Sequence, residues 1–385
     1  MRDYQKEALE CWNKNNKKGC IVLPTGAGKT IIALKAIIQT NSSTLIIVPT
    51  INLMEQWLDS IKKILKDHTL IGMLGGGYED IKMITITTYD SAYLKSSFLG
   101  NKFELLIFDE VHHLASEKYS LIGENFISPY RLGLTATIER EDERHVILYK
   151  LIGDIIYKKD FYELAEKNYL ANFVLKKRTI SMLPSEIMEY NNKINQYRKL
   201  LKSSNIFYPI KLEKLVILSA NNTALRNALL LRNEALEIAL NSTAKILELE
   251  KILKETNLER KKILIFTAYT KLAYTISNRF LIPVITHRTK NEERIEILEG
   301  FRKGQYKVIV TTKVLDEGTD ISDVNMGIIL SGSGSKREFV QRLGRLLRPK
   351  NTKEDVAELI EIVSSDTSEI YSSNKRNTGI KKRTK

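Results

Sequence analysis

Short apolar runs alternate with stretches of helical period along most of the chain. In the first half the runs are CIVLP at 20–24, TLIIVP at 44–49, MITITTY at 83–89, LLIFDE at 105–110 and RLGLTAT at 131–137, with helical patterns over Thr30 to Thr40 and Leu53 to Leu65. Runs this short, apolar at consecutive positions and bounded by helical text, predict parallel strands covered on both faces. The rhythm returns as KILIFTA, IPVITH, KVIVTT, NMGIILS and ELIEIV between 262 and 363, with helices over Lys271 to Phe280 and Glu292 to Arg302. A second α/β domain is therefore expected. Between the two, from about Leu170 to Thr256, the text is polar and Leu-rich with helical period and no buried strand. The expected division is a first domain at 1–170, a linker and basic helical insertion at 171–225, a second domain at 226–368, and a basic mobile tail at 369–385.

Composition narrows the function. The chain has 385 residues, more than one hydrophobic core usually spans, and 43% of them are apolar, which is ordinary for a folded protein. Its 60 Lys and Arg against 46 Asp and Glu give a net charge of +14, and the isoelectric point is about 9.4. Such an excess suits a polyanionic partner, nucleic acid first, although charge alone also serves dispersal. No apolar stretch approaches a membrane span and the opening MRDYQKEALE is not a secretory leader, so no membrane partner is expected. Cys11 and Cys20 lack metal-ligand spacing and read as packing thiols of a cytoplasmic protein, nucleoid-associated in a prokaryote.

Three separated segments carry chemistry. LPTGAGKT at Leu23 to Thr30 follows a strand and opens a helix. Pro24, Thr25, Gly26, Ala27 and Gly28 would form the loop that wraps phosphate, the backbone N–H groups coming from the residues after Pro24, Lys29 would neutralise it, and the Thr30 hydroxyl would meet Mg²⁺. The general P-loop has a glycine where Leu23 stands. FDEVHH at Phe108 to His113 carries two acids to a strand end, Asp109 to hold the metal and Glu110 to orient and deprotonate the attacking water. His112 and His113 have no Cys or carboxylate at zinc spacing. In QRLGRLLRP, Gln341, Arg345 and Arg348 recur at helical spacing on one face, as arginine fingers toward a γ-phosphate or as a solvated basic face. ATP and Mg²⁺ are the expected cofactors.

The order and wording of these segments resemble helicase superfamily two, and within it the XPB (xeroderma pigmentosum group B) family in its archaeal form. Further matches are RDYQ at Arg2 to Gln5, IVPT at Ile47 to Thr50, LTAT at Leu134 to Thr137, VLDEGTDI at Val314 to Ile321, and SGSGS at Ser331 to Ser335. The resemblance implies two RecA-like domains with a thumb-like insertion near Ile187 to Val216. It implies that Arg2 and Gln5 serve the adenine, that His112, Thr135 and Thr137 couple hydrolysis to movement, and that Gly318 and Asp320 meet nucleotide. DNA would be met by Pro49, Thr50, Thr88, Thr311, Thr312 and Ser331, by His287 and Arg288 of ITHRT, and by the triplet Arg140, Glu141 and Asp142. In the insertion Lys193, Arg198, Lys199, Lys202, Lys211 and Lys214 alternate with Tyr197, Phe207 and Tyr208, a mixture suited to phosphates and bases.

The activity so implied is 3′ to 5′ translocation on DNA and its opening at single-strand and junction substrates, in nucleotide excision repair or related processing. A nuclease is an implied partner. Members usually carry a further region before RDYQ associated with damage sensing, and here only Met1 precedes that segment. A short natural form, a trimmed sequence and a partner that supplies the function all fit. An RNA helicase and an ATP-gated clamp that recruits a nuclease are the alternatives.

Overall fold

A computed structural model describes residues 1–65, 67–138, 142–167, 169, 173–312, 324–331 and 357–377. These fall into two compact units that meet in sequence at Asn172 and Phe173. The first is built on an eight-stranded sheet: β1 Lys18–Val22, β2 Thr44–Val48, β3 Ile71–Gly75, β4 Tyr78–Glu79, β5 Ile84–Thr88, β6 Leu105–Asp109, β7 Tyr130–Thr135 and β8 Ile155–Lys158. Their order is β4-β3-β5-β2-β6-β7-β1-β8, and every pairing is parallel except β3 with β4. The alternation read along the chain is the reason. In β2, Ile46 and Val48 enter one core with Trp12, Ile32 and Trp57, while Leu45 and Ile47 enter another with Phe108 and Tyr89 on the opposite face. A strand with both faces covered has no position left for polar residues.

Register decides what the sheet delivers. Val22 lies beside Thr135 and Asp109 beside Leu134, so the segments after β1, β6 and β7 leave the same edge. Ile47 pairs with Phe108 and Val48 with Thr88, which brings the ends of β2 and β5 to that edge too. Strand β8, short and only partly buried, is not marked by the apolar pattern, and neither is β3, whose run is interrupted by Gly72 and Gly75 although it is buried.

Among the described residues the second unit has six parallel strands, β9 Phe173–Ile180, β10 Ile263–Phe266, β11 Val284–Ile285, β12 Val308–Thr311, β13 Met326–Ile329 and β14 Ala357–Ser364. Their order is β11-β12-β10-β13-β14-β9. Strand β9 corrects the helical reading of the start of 170–256, although none of its described side chains is buried, in keeping with the expectation of no buried strand there. It is an edge strand paired along its whole length with β14, from Ala357 beside Phe173 to Ser364 beside Ile180. Its Lys176, Lys177 and Arg178 hide it from a hydrophobicity reading. Backbone pairing sustains it, and the bases find partners, Arg178 with Glu248 at 2.6 Å and Lys176 with Glu358 at 3.4 Å.

The insertion is helical, with helices Pro184–Ser203, Leu212–Ser219 and Thr223–Leu240. The expected boundary at 225 cuts the last of these. Leu225 and Ala228 pack with Tyr197 and Leu201 of the first helix, so the hairpin closes only with Thr223–Leu240 included. Part of the expected tail is also structured. Residues Ser368–Asn377 form a helix, held because buried Lys245 binds Glu369 at 2.7 Å and buried Ser373 donates to Glu361 at 2.8 Å. Residues 378–385 lie outside the described residues. No helix among the described residues is long and apolar enough to cross a membrane.

Candidate functional site

The P-loop is tied to the sheet before it turns. Leu23 N–H donates to Thr135 O at 3.0 Å, after which Gly26 at φ 81° and Gly28 at φ 75° take left-handed conformations. At Gly28 the left-handed backbone favours glycine, and a Cβ there would sit 2.5 Å from Gln5 Nε2 and displace that amide. Helix Lys29–Thr40 then begins with no side chain capping it, which leaves its positive end open toward an anion. Thr25 Oγ1 is buried without a hydrogen-bond partner among the described residues. Lys29 Nζ, the neutralising group, rests 3.2 Å from Leu23 O. These features fit a triphosphate.

The N-terminal helix, Asp3–Lys14, braces that loop. Tyr4 OH and Gln5 Nε2 both donate to Ala27 O, at 2.6 and 3.0 Å, and Gln5 Oε1 accepts from Arg2 N–H at 2.9 Å. Gln5 is 2% exposed, so part of its amide already serves the P-loop. The Arg2 guanidinium donates to Tyr169 O and lies 5.8 Å from the Tyr169 ring. The sequence names Tyr4 only within RDYQ, with no role of its own, and gives no signal at Tyr169.

At the end of β6, Asp109 accepts from Trp57 Nε1 at 2.9 Å and from Glu110 N–H at 3.1 Å. Burial and the adjacent Glu110 push its carboxyl up to about 6, against the opposing pull of Trp57 and Lys29. An acid so raised suits a divalent cation, whose charge offsets both causes. Glu110 itself stands at φ 47°, ψ 55°, a left-handed conformation that turns the chain sharply after Asp109. Thr135 Oγ1 lies 3.3 Å from Glu110 Oε2, 3.0 Å from His112 Nδ1 and 2.8 Å from Thr137 O, and it accepts from Thr137 N–H at 3.2 Å. One hydroxyl thus joins Glu110, His112 and Thr137, residues expected to act in catalysis and coupling. His112 is fully buried. Among the described residues no cluster of His, Cys, Asp or Glu could hold zinc or another all-protein metal.

The residues expected to meet DNA divide by their surroundings. Pro49 and Thr50 are partly accessible, and Thr50 Oγ1 caps helix Ile51–Lys62 through Leu53 N–H at 3.3 Å. Thr88 caps the next short helix through Ser91 N–H at 3.2 Å. His287 and Arg288 are exposed, as are Arg198, Lys199 and Lys202. Thr311 and Ser331 differ. Both are wholly buried, the Thr311 hydroxyl donating to Thr312 O at 2.9 Å and Ser331 Oγ bonding Thr267 Oγ1 and Ala268 N–H, each at 2.8 Å. Their hydroxyls shape the strand ends and do not face outward, and Thr312 is nearly as deep at 6% exposed. In the insertion, Tyr197 is a core residue and Lys193 is paired with Glu234 at 2.7 Å. Phe207 is almost fully exposed, and Arg198 lies 5.1 Å from the Tyr208 ring. Asp142 accepts from Arg144 N–H at 3.2 Å. Arg140, Glu141, Gly318, Asp320, Gln341, Arg345 and Arg348 lie outside the described residues.

Known proteins share this plan. Residues 1–140 match the family model described as type III restriction enzyme, res subunit, and residues 244–350 match the helicase conserved C-terminal domain. The helicase domain of Hef from Pyrococcus furiosus superposes with a TM-score of 0.64 at 19% identity over 97% of both chains, and Dbp5 from S. cerevisiae with 0.61 at 14%, over 98% of this chain and 86% of that one. Both show the fold, two RecA-like domains. Among sequences, the DNA 3′-5′ helicase XPB of Mycobacterium tuberculosis is 28% identical over 91% of this chain and 58% of its own. The DNA 3′-5′ translocase XPB2 of Sulfurisphaera tokodaii is 48% identical over 98% of this chain and 84% of that protein. With that identity across almost the whole length, and with the nucleotide site assembled as described, the chain belongs to the XPB family of superfamily two helicases.

Proposed function

We propose that the protein is an ATP-dependent DNA translocase and helicase that moves 3′ to 5′ and opens duplex at single-strand junctions. The observation that carries this reading is the Thr135 hydroxyl, which touches both the Glu110 carboxylate and His112. A group that hydrogen-bonds the water-activating acid on one side and the segment after β7 on the other gives hydrolysis a route into backbone movement. Thr30 and Asp109 would hold magnesium, which supplies charge neutralisation of the phosphates. Glu110 orients and deprotonates water, and Lys29 and the open helix end hold the triphosphate. Arg345 and Arg348 are the arginine fingers in this reading, and Gln341 shares their face. The charge of +14, with Arg198, Lys199 and Lys202 exposed on the insertion, supports a nucleic-acid track. The polarity and the DNA substrate rest on the Sulfurisphaera relative. A role in excision repair, a nuclease partner and a cytoplasmic location rest on the family resemblance alone.

ATP turnover measured without nucleic acid, with single-stranded DNA, with duplex and with RNA tests the reading, Glu110→Gln serving as control. DNA stimulation lost on the substitution is expected. Stimulation by RNA in preference to DNA would replace it with an RNA helicase, and slow turnover indifferent to all four conditions would favour a clamp.

A further inference from the structure

Two aromatic donors, neither marked by any motif, converge on the acidic pair. Trp57 Nε1 donates to the Asp109 carboxylate at 2.9 Å, and Tyr89 OH donates to the Asp109 carbonyl at 3.0 Å. Both side chains are buried, Trp57 at 2% and Tyr89 at 1% exposed. They come from different elements. Trp57 lies two turns into helix Ile51–Lys62, flanked by the buried Met54 and Ile61 of the same face, and that helix starts at Thr50. Tyr89 follows Thr88 directly. An indole N–H can only donate, so its bond fixes the direction of the carboxylate whatever else that group binds. The Tyr89 bond holds the peptide at which the chain turns into the left-handed Glu110, a conformation costly for a non-glycine residue and kept only by such supports.

We infer that Trp57 and Tyr89 are positioning residues that transmit engagement of DNA, Trp57 from the Pro49–Thr50 turn and Tyr89 from Thr88, to the metal-holding and water-activating acids. The inference rests on the proposed function and deepens it. Helix Ile51–Lys62 is a rigid lever with one end at the segment expected to meet phosphates and its indole on Asp109. A shift of the Thr50 end moves the donor that orients the carboxylate. The division of labour follows from the atoms touched. Trp57 acts on the carboxylate, and so on cation affinity. Tyr89 acts on the backbone that aims Glu110, and so on turnover.

The test uses the full chain, fluorescently labelled ATP and titrated Mg²⁺, with and without single-stranded DNA, for the parent and for Trp57→Phe, Trp57→His and Tyr89→Phe. In the parent, DNA is expected to lower the Mg²⁺ concentration needed for half-maximal turnover. Trp57→Phe is expected to raise that concentration about 10-fold, in the range seen when partners of metal ligands are removed, and to abolish the effect of DNA on it. Labelled ATP in EDTA should bind the variant within about twofold of the parent. Trp57→His keeps a ring N–H and should recover part of the loss. Tyr89→Phe should lower turnover at an unchanged Mg²⁺ requirement, and it keeps the inference testable if the indole proves essential for folding. An unchanged Mg²⁺ requirement in Trp57→Phe, or weakening that is equal with and without Mg²⁺, would overturn the role of Trp57 while leaving the helicase reading intact. A parent that neither binds labelled ATP nor responds to DNA would remove the helicase reading and this inference with it.

Discussion

Thr135 has one proton and two acceptors around it, the Glu110 carboxylate and the Thr137 carbonyl, beside a His112 ring nitrogen that donates or accepts according to its tautomer. It can satisfy one at a time, which makes its hydroxyl orientation a local choice between the acid and the strand end. Replacing it with valine keeps shape and removes the choice. Thr135→Val is expected to bind labelled ATP as the parent does and to lose on the order of 10²-fold in turnover, the scale of a misplaced catalytic group; nucleotide titration with single-turnover hydrolysis would check it. A second expectation at this scale concerns thiols. Burial, with Asp154 nearby, pushes Cys20 up to about 12, so its reactive thiolate is negligible at about pH 8, where an ordinary thiol reacts readily, whereas Cys11 is partly exposed. Native protein should release one equivalent in a thiol-exchange assay, and denatured protein two. Rapid reaction of both thiols in the native state would contradict the packing around Cys20.

Among elements, the helix Ser368–Asn377 depends on a buried ion pair. Lys245 Nζ donates to both oxygens of Glu369 at 2.7 and 2.8 Å and to the Leu330 carbonyl at 2.6 Å, with Lys245 fully buried and Glu369 2% exposed. Removing one partner strands the other charge in the core. Glu369→Ala should therefore cost roughly 3–5 kcal/mol, while the double substitution Lys245→Met with Glu369→Leu should cost less than either single change; urea denaturation midpoints would compare them. Deleting residues 372–385 takes away Ser373, the donor to buried Glu361, and is expected to lower the melting temperature. This helix reads as a tail in the sequence because its text, SEIYSSNKRN, has little apolar content. What anchors it is a carboxylate, a group that sequence reading assigns to the surface. Strand β9 is hidden for a related reason, its three successive bases being tied to glutamates or tolerated at an edge.

For the whole molecule, the excess of positive charge is useful only where it is free. Arg198, Lys199 and Lys202 are exposed on the insertion, whereas Lys193 is paired with Glu234. Changing the first three to glutamine should weaken DNA binding at every sequence and reduce the slope of log affinity against log salt by about one for each phosphate no longer neutralised. Lys193→Gln should leave that slope unchanged. Fluorescence anisotropy over a salt series separates these outcomes, and a slope indifferent to the triple change would move the DNA track away from the insertion.

The sequence by itself determined the alternation of buried strands and covering helices, because burial on both faces leaves a continuous apolar run that local reading can detect. It also marked the phosphate loop and the acidic pair, since Gly26, Gly28, Lys29, Asp109 and Glu110 are demanded by local backbone geometry and by charge. Only the tertiary structure decided which of these meet. That Val22 lies beside Thr135, that Gln5 and Tyr4 hold Ala27, and that Trp57 reaches Asp109 are consequences of strand order and helix placement between residues 22 to 113 positions apart. Local periodicity reports that a side chain is buried. It carries no record of the partner, because the partner is chosen by the register and packing of the whole sheet.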